Sequence, residues 1–228
     1  MKAGILFSGG KDSVYTAAQA LKEGHDVVCL INLTSENTAS YMFHSVNNHI
    51  VKQQAEALGI PLLNFTTKGE KEKELADLKN AILEAKKKFG IEMVGAGALA
   101  SQYQYERVGK IAAELGLKVF APLWKKDEEK LLRQIVNAGF KVMIVAIAAE
   151  GTAKEWLGRF IDSARIDELV KLNKKYGSHI MGEGGEYESL VVDGPIFRKK
   201  LVVKSVEVVM EDKNTGYYLV KEVELVSK

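Results

Sequence analysis

The chain has 228 residues, 46% of them apolar and 27% charged, which suffices for one large α/β domain or two modest ones and excludes a mini-protein or wholesale disorder. With 32 basic against 30 acidic residues the net charge is +2, so no overall field favours wrapping nucleic acid or coating an anionic membrane. Its single cysteine, Cys29, cannot close an internal disulfide or supply a zinc cluster, and the surrounding run Val27-Val28-Cys29-Leu30-Ile31 reads as core packing.

Ala3 to Phe7 is expected as a first strand, followed by a helix from Asp12 to Glu23 with Val14, Ala17, Ala18 and Leu21 on one face and Gly24 as its stop. Val27 to Asn32 follows as a second strand, and a polar loop runs from Thr34 to Ser40. Helical spacing at Val46, Ile50, Gln54, Ala57 and Leu58 predicts a helix over 45–58, ended by Gly59 and Pro61. Leu62 to Thr66 is the third strand. Glu70 to Phe89 is a long charged helix with an apolar stripe at Leu75, Leu78, Ile82, Leu83 and Ala85. Ile91 to Ala98, the helix Tyr105 to Leu115 and the short strand Val119 to Ala121 complete an alternating pattern that builds a parallel sheet. We expect a domain boundary after Pro122.

Residues 123–228 read differently, with helices at Asp127 to Asn137, near Trp156 and at Asp167 to Tyr176, and a strand at Lys141 to Ala148. Leu201 to Met210 and Tyr217 to Val226 alternate apolar and polar residues around the turn Asp212-Lys213-Asn214-Thr215-Gly216, a C-terminal antiparallel hairpin. The longest apolar run, Val142 to Ala149, falls far short of the ~20 residues that span a bilayer. Met1-Lys2 leads straight into a strand without a secretory signal, so a cytoplasmic protein is expected, with no membrane partner.

The sharpest signal is Ser8-Gly9-Gly10-Lys11-Asp12-Ser13, set between the first strand and the first helix. Paired glycines let backbone N–H groups turn toward an anion, the helix N-terminus adds partial positive charge, Lys11 adds a full one, and Ser8 and Ser13 bring hydroxyls. Such a cradle suits a phosphate chain. It is not a Walker A loop, because Ile5 stands where that pattern needs glycine and Asp12 stands where it needs Ser or Thr.

A second constellation is Gly182-Glu183-Gly184-Gly185-Glu186-Tyr187-Glu188-Ser189. Its glycines permit close approach of a ligand, and a strand starting there would put Glu186 and Glu188 on one face. Such carboxylates near phosphates could hold magnesium, orient ammonium or accept a proton from an amine. No zinc pair is expected from His44 and His49, which are five apart with no cysteine near. Asn32 and Gly97, at expected strand ends, are candidate adenosine contacts. His44 is a candidate for nucleotide or substrate contact. Tyr103, Tyr105 and Arg107 read equally as a solvated helix start or as contacts to a protein substrate.

SGGKDS resembles the loop of the PP-loop ATP pyrophosphatases, of the HUP-type, or adenine nucleotide α-hydrolase-like, fold. Taken with Tyr41-Met42-Phe43-His44-Ser45-Val46-Asn47, Gln53-Gln54-Ala55-Glu56-Ala57-Leu58-Gly59-Ile60-Pro61, Ala121-Pro122-Leu123-Trp124 and Trp156-Leu157-Gly158-Arg159, the acidic octet closely resembles the archaeal diphthine–ammonia ligase family over residues 3–197. That family usually has Thr where Ser189 stands. The resemblance implies a HUP-type parallel-sheet domain, residues 1–122, and a smaller α+β domain, residues 123–228. It implies ATP and substrate-associated magnesium, with Ser8, Gly9, Gly10, Lys11, Asp12, Ser13, Asn32, His44 and Gly97 at the nucleotide and no resident metal. It implies Lys11, Glu183 and Glu186 as catalytic groups, and Gly184, Gly185, Tyr187 and Glu188 at the substrate. The implied reaction is ATP-dependent conversion of diphthine on elongation factor 2 to diphthamide with free ammonium, releasing AMP and pyrophosphate. Neither nucleic acid nor a membrane is an expected partner, and a homo-oligomer stays open. The rivals are a PP-loop ligase acting on tRNA or a small carboxylate, and a non-catalytic ATP sensor.

Overall fold

A computed structural model describes residues 1–35, 46–68, 73–99 and 101–228. Five strands, β1 (Lys2–Leu6), β2 (Asp26–Ser35), β3 (Leu62–Thr67), β4 (Met93–Gly95) and β5 (Lys118–Phe120), pair in parallel in the order β3-β2-β1-β4-β5. Between them run α1 (Lys11–Lys22), α2 (Val51–Leu58), α3 (Lys73–Phe89) and α4 (Gln102–Glu114). Neighbouring residues of β2 feed different apolar clusters. Leu30 packs with Val14 and Ala17 of α1 and with Val51 and Ala55 of α2, whereas Cys29, Ile31 and Leu33 pack with Leu78 and Ile82 of α3 and Ile111 of α4. Helices therefore cover both faces, which is why the strands read as continuous apolar runs. This is the expected parallel α/β sheet. Cys29 lies wholly inside it, and burial pushes its thiol up to about 12.

The second half carries an antiparallel sheet. Its strands β6 (Lys141–Ala148), β7 (Tyr187–Asp193), β8 (Lys199–Met210) and β9 (Thr215–Ser227) take the order β7-β6-β9-β8. Helix α5 (Glu128–Asn137) enters it after Asp127, whose carboxylate caps Lys130 N at 2.9 Å, and α6 (Ser163–Tyr176) starts after Asp162, which caps Arg165 N at 2.8 Å. Buried Leu132, Ile135, Ile144, Ile147 and Val191 join the same apolar cluster as Ile5, Val14 and Ile50. One core thus runs from the first sheet into the second.

Several boundaries differ from the sequence reading. β2 continues three residues past Asn32 because Leu33, Thr34 and Ser35 pair with Phe65, Thr66 and Thr67 of β3. Only Met93–Gly95 of the expected fourth strand is paired, since β5 offers just Lys118 to Phe120 as a partner. The helix expected over 45–58 is interrupted. Asn47 adopts a left-handed φ of 65°, a short 3-10 turn spans Asn48–Ile50, and α2 begins at Val51. The beginning of the expected Glu70 helix and the motif residues 41–45 lie outside the described residues.

The C-terminal ribbon explains the break at Asn47. Its side-chain Nδ2 donates to Tyr218 O at 2.9 Å, its Oδ1 accepts from Val220 N at 2.8 Å, and His49 Nε2 lies 2.8 Å from Val220 O. A left-handed backbone at residue 47 turns the amide toward β9, a geometry that asparagine tolerates better than most residues. Asn47→Ala should lose about 2–4 kcal/mol of stability, because Val220 N would be left buried without its acceptor. Asn47→Gly, which relieves the left-handed strain, should recover roughly 1 kcal/mol of that loss in urea denaturation.

Candidate functional site

The glycine loop leaves the carboxyl end of β1 at the point where the strand order reverses, with β2 on one side and β4 on the other. Open parallel sheets bind ligands at such a switch point. The loop is braced from beneath: Phe7 N donates to Ile31 O at 2.8 Å, and buried Asn32 donates from Nδ2 to Phe7 O at 2.8 Å. Asn32 Oδ1 accepts from the Thr34 hydroxyl at 3.0 Å, so this amide is occupied at both ends within the sheet. Ser13 Oγ donates to Gly10 O at 3.0 Å and accepts from Ser8 N at 3.3 Å. Gly97 closes the far side. A β-carbon there would stand 3.0 Å from the Asp12 carbonyl carbon and 3.1 Å from Ser13 N, against the first turn of α1.

Strand β7 lies directly on this loop. Lys11 N donates to Ser189 Oγ at 3.2 Å, and Val191 N donates to Gly9 O at 3.1 Å. The fully buried Gln54 of α2 donates from Nε2 both to Gly9 O at 2.8 Å and to Val191 O at 2.7 Å. Gly9 has φ of 80°, and a β-carbon at this position would collide with Gln54 Oε1. The hydroxyl at residue 189 therefore has a defined acceptor role that serine and threonine share.

Lys11 is 4% exposed, with Nζ 2.9 Å from Asp12 Oδ2 and 5.1 Å from the centre of the Tyr187 ring. Burial opposes its charge, but Asp12, Tyr187 and Glu183 outweigh that cost and hold its pKa above the ordinary lysine value. Burial likewise raises the Tyr187 hydroxyl, which donates to Ile180 O at 3.0 Å. The loop thus presents a fixed cation to whatever binds it.

The acidic octet forms the turn before β7. Glu186 Oε1 accepts from His179 N at 2.6 Å and its Oε2 from Gly184 N at 2.9 Å, while Glu188 Oε2 accepts from Val46 N at 2.9 Å. The strand begins at Tyr187, after Glu186, so the two carboxylates are held by different elements rather than by one shared strand face. Gly182 and Gly185 take positive φ values of 75° and 86°, and a β-carbon at Gly182 would stand 2.8 Å from Tyr187 O. Glu183 reaches Lys11 through its field. Beneath the turn, Glu128 at the start of α5 accepts from Ile180 N at 2.7 Å and lies 3.0 Å from His179 Nε2. Sequence reasoning missed Glu128, because nothing in its local pattern distinguishes it from any acidic residue in a helix's first turn.

Ser8, Gly9, Gly10, Lys11, Asp12, Ser13 and Gly97 thus gather with Glu183, Glu186, Tyr187 and Ser189. Asn32 serves the floor of the loop, Glu188 binds the segment before α2, and His44 lies outside the described residues. Tyr103 and Arg107 meet on α4, with the guanidinium 3.2 Å above the Tyr103 ring, and Tyr105 stacks on Trp124 at 4.3 Å. Two open surface pockets, of about 460 and 410 Å³, are lined by Ala148 to Glu150 with Asp212 to Thr215, and by α1, β5 and α5 residues such as Tyr15, Phe120 and Leu131. Neither contains the glycine loop.

For a divalent cation accompanying a phosphate chain, the loop offers Asp12 Oδ1, buried and without a hydrogen-bond partner among the described residues. A single hard carboxylate oxygen suits magnesium, which keeps waters and phosphate oxygens for its remaining positions. No cluster of three or more His, Cys, Asp or Glu able to hold a metal occurs among the described residues. None of their helices is long and apolar enough to cross a membrane.

Comparison with known sequences adds two family matches: the diphthamide synthase N-terminal domain over residues 1–119 and the diphthamide synthase C-terminal domain over residues 127–226. Human diphthine–ammonia ligase is 36% identical over 229 aligned residues, covering 92% of this chain and 85% of that protein. The Schizosaccharomyces pombe diphthine–ammonia ligase is also 36% identical, over 96% of this chain and 39% of that longer protein. Among solved structures, a predicted subunit of tRNA methyltransferase from Methanocaldococcus jannaschii aligns with a TM-score of 0.46 at 20% identity, covering 86% of this chain and 98% of that one.

Lys11 gives a direct test of the electrostatics. Its raised pKa means that its partners stabilise the fold fully below the unfolded lysine value of 10.5 and lose that contribution only as pH rises through the higher folded value. Between pH 6 and about 10 its charge should therefore stay constant. Nitrogen-15 NMR of the lysine side chains should show one resonance, lost in Lys11→Met, that begins to titrate only after the exposed lysines have done so.

Proposed function

We propose that this chain, which belongs to the diphthamide synthase family, catalyses the ATP-dependent amidation of diphthine on elongation factor 2. In this reading residues 1–122 form the nucleotide-binding domain and residues 123–228 the substrate domain, and the enzyme works in the cytoplasm beside its translation-factor substrate. Its affiliation with the archaeal branch rests on motif resemblance.

A free carboxylate is a poor acyl donor. The diphthine carboxylate attacks the α phosphorus of ATP, the bond to the bridging oxygen breaks, and pyrophosphate leaves while an acyl-adenylate forms. Ser8, Gly9, Gly10, Lys11 and Ser13 hold the phosphate chain, and Asp12 Oδ1 is the group that would hold an accompanying magnesium ion. The N–H groups at the start of α1 and the charged Lys11 stabilise the negative charge that grows on the leaving pyrophosphate. Magnesium, when bound with the nucleotide, neutralises phosphate oxygens as that charge builds. Ammonia then attacks the acyl carbon, AMP departs, and the excess proton passes to a carboxylate.

Glu183 and Glu186 take the ammonium-binding and proton-accepting roles, and Gly184, Gly185, Tyr187 and Glu188 border the acyl substrate. The two backbone N–H groups on Glu186 fix its orientation without using all its lone pairs. His44, on its motif alone, and Gly97 are assigned to the adenosine end of the site, with Asn32 bracing the loop from below. Free ammonia is the nitrogen source, in keeping with a cysteine sealed inside the sheet. The observation that carries this reading is the meeting of the two motifs: Lys11 N bonds Ser189 Oγ at 3.2 Å, and Lys11 Nζ lies over Tyr187. A phosphate grip and an amine-handling carboxylate turn share one lysine.

The test is incubation with ATP, magnesium and ammonium, with and without diphthine-bearing elongation factor, following AMP and the amide. AMP formed only with the modified factor is the expected result. AMP that depends on tRNA or on a small carboxylate, or ATP binding without turnover, would replace this reading with another. Glu186→Ala should keep ATP affinity and lower amide formation by about 10²-fold or more, as removal of a general base does. Equal amide formation in variant and parent would take Glu186 out of the catalytic set.

A further inference from the structure

Gln54 is wholly buried, yet only half of its amide is satisfied. Nε2 donates to Gly9 O at 2.8 Å and Val191 O at 2.7 Å, whereas Oε1 has no hydrogen-bond partner among the described residues. Because both partners are carbonyl oxygens, the nitrogen must face them, and the oxygen is left against the Gly9 backbone. A buried unpaired acceptor is costly, and an apolar side chain of the same length would avoid it. The benefit therefore lies in what the two N–H groups hold.

They hold one face of the phosphate loop. Gly9 O receives Gln54 Nε2 and Val191 N together, so the Gly9 carbonyl is fixed toward α2 and β7. The Gly9–Gly10 peptide is trans, and a trans peptide points its N–H opposite to its C=O. The Gly10 N–H therefore points away from the two donors that hold the Gly9 carbonyl, and Gly10 is the residue that caps α1. With no β-carbon on Gly9 to restrict this peptide, those two donors are what hold the Gly9 carbonyl itself.

We propose that Gln54 is a positioning residue for pyrophosphate: it locks the Gly9–Gly10 peptide so that the Gly10 N–H is presented to the leaving group, and it ties that orientation to β7 through Val191. The inference rests on the reading of this loop as the pyrophosphate grip. It adds that α2, which touches no phosphate, sets the loop's donor direction.

Titration calorimetry of the full chain with inorganic pyrophosphate plus magnesium, and separately with AMP, tests it. Gln54→Met keeps the size of the side chain and removes both donors, and Gln54→Glu leaves at most one, an O–H. Each should weaken pyrophosphate about tenfold and leave AMP affinity within about twofold. Unchanged pyrophosphate affinity, or equal weakening of both ligands, overturns the proposal.

A second measurement needs no variant. Gly10 and Gly185 are the only glycines preceded by glycine, so labelling glycine with carbonyl carbon-13 and nitrogen-15 isolates their two amides in a carbonyl-correlated spectrum. Pyrophosphate should move the Gly10 amide proton downfield. Binding that leaves Gly10 unmoved sinks the role of Gln54 while sparing the loop reading. Failure of pyrophosphate to bind the parent protein sinks both.

Discussion

The Gly9 carbonyl accepts hydrogen bonds from a side chain on α2 and from the backbone of β7, and the rest of the site is arranged around that shared acceptor. A glycine in a left-handed conformation has no side chain to hold it, so its direction must be imposed from outside. Here the imposition comes from both halves of the chain at once. A shift of β7 relative to the first sheet would strain the bond from Val191 N to the Gly9 carbonyl. The continuous apolar cluster makes the same demand by other means, since Val14 and Ile50 share a core with Ile144 and Val191.

The same joint settles the electrostatics. Lys11 leaves water almost completely, and a buried ammonium survives only with compensation close by. Asp12 supplies it from the next residue and Glu183 from the distant turn, while the electron-rich face of Tyr187 adds to both. Each half of the chain therefore contributes one carboxylate to the same cation. A single lysine thus joins the glycine loop to the acidic turn electrostatically.

Much of this was legible in the residues, and the reasons are local. The six residues from Ser8 to Ser13 stand out because glycines, a lysine and hydroxyls cluster in one turn, and the loop does open α1 where the sequence places it. The hairpin of β8 and β9 is legible because alternation and a turn sequence are both short-range signals. What stayed hidden is contact between distant segments. Gln54 looked like one more residue on a helix face, and only the arrival of Val191, 137 positions later, gives its amide a task. Asn32 looked like a strand-end ligand contact, but its strand runs on because β3 is long enough to pair with it, and its amide is spent inside the sheet. Glu128 carries no signature, since a carboxylate in a first helical turn is expected whether or not a histidine and a backbone amide await it.

The terminal ribbon shows how far such dependence extends. It carries no chemical motif, yet β9 grips Asn47 and His49, and Glu188 grips the amide of Val46 immediately before them. Three bonds from the ribbon and one from the acidic octet thus fix the chain where it enters α2. From that entry the helix carries Gln54 to the Gly9 carbonyl. The octet and the strand it leads into accordingly reach the glycine loop by two routes: directly, through Ser189 and Val191, and indirectly, through Glu188, α2 and Gln54. Two routes between the same pair of elements form a closed mechanical loop. A closed loop resists rotation of any one member far better than a single tether does, so the direction of the Gly9–Gly10 peptide is set by both halves of the chain.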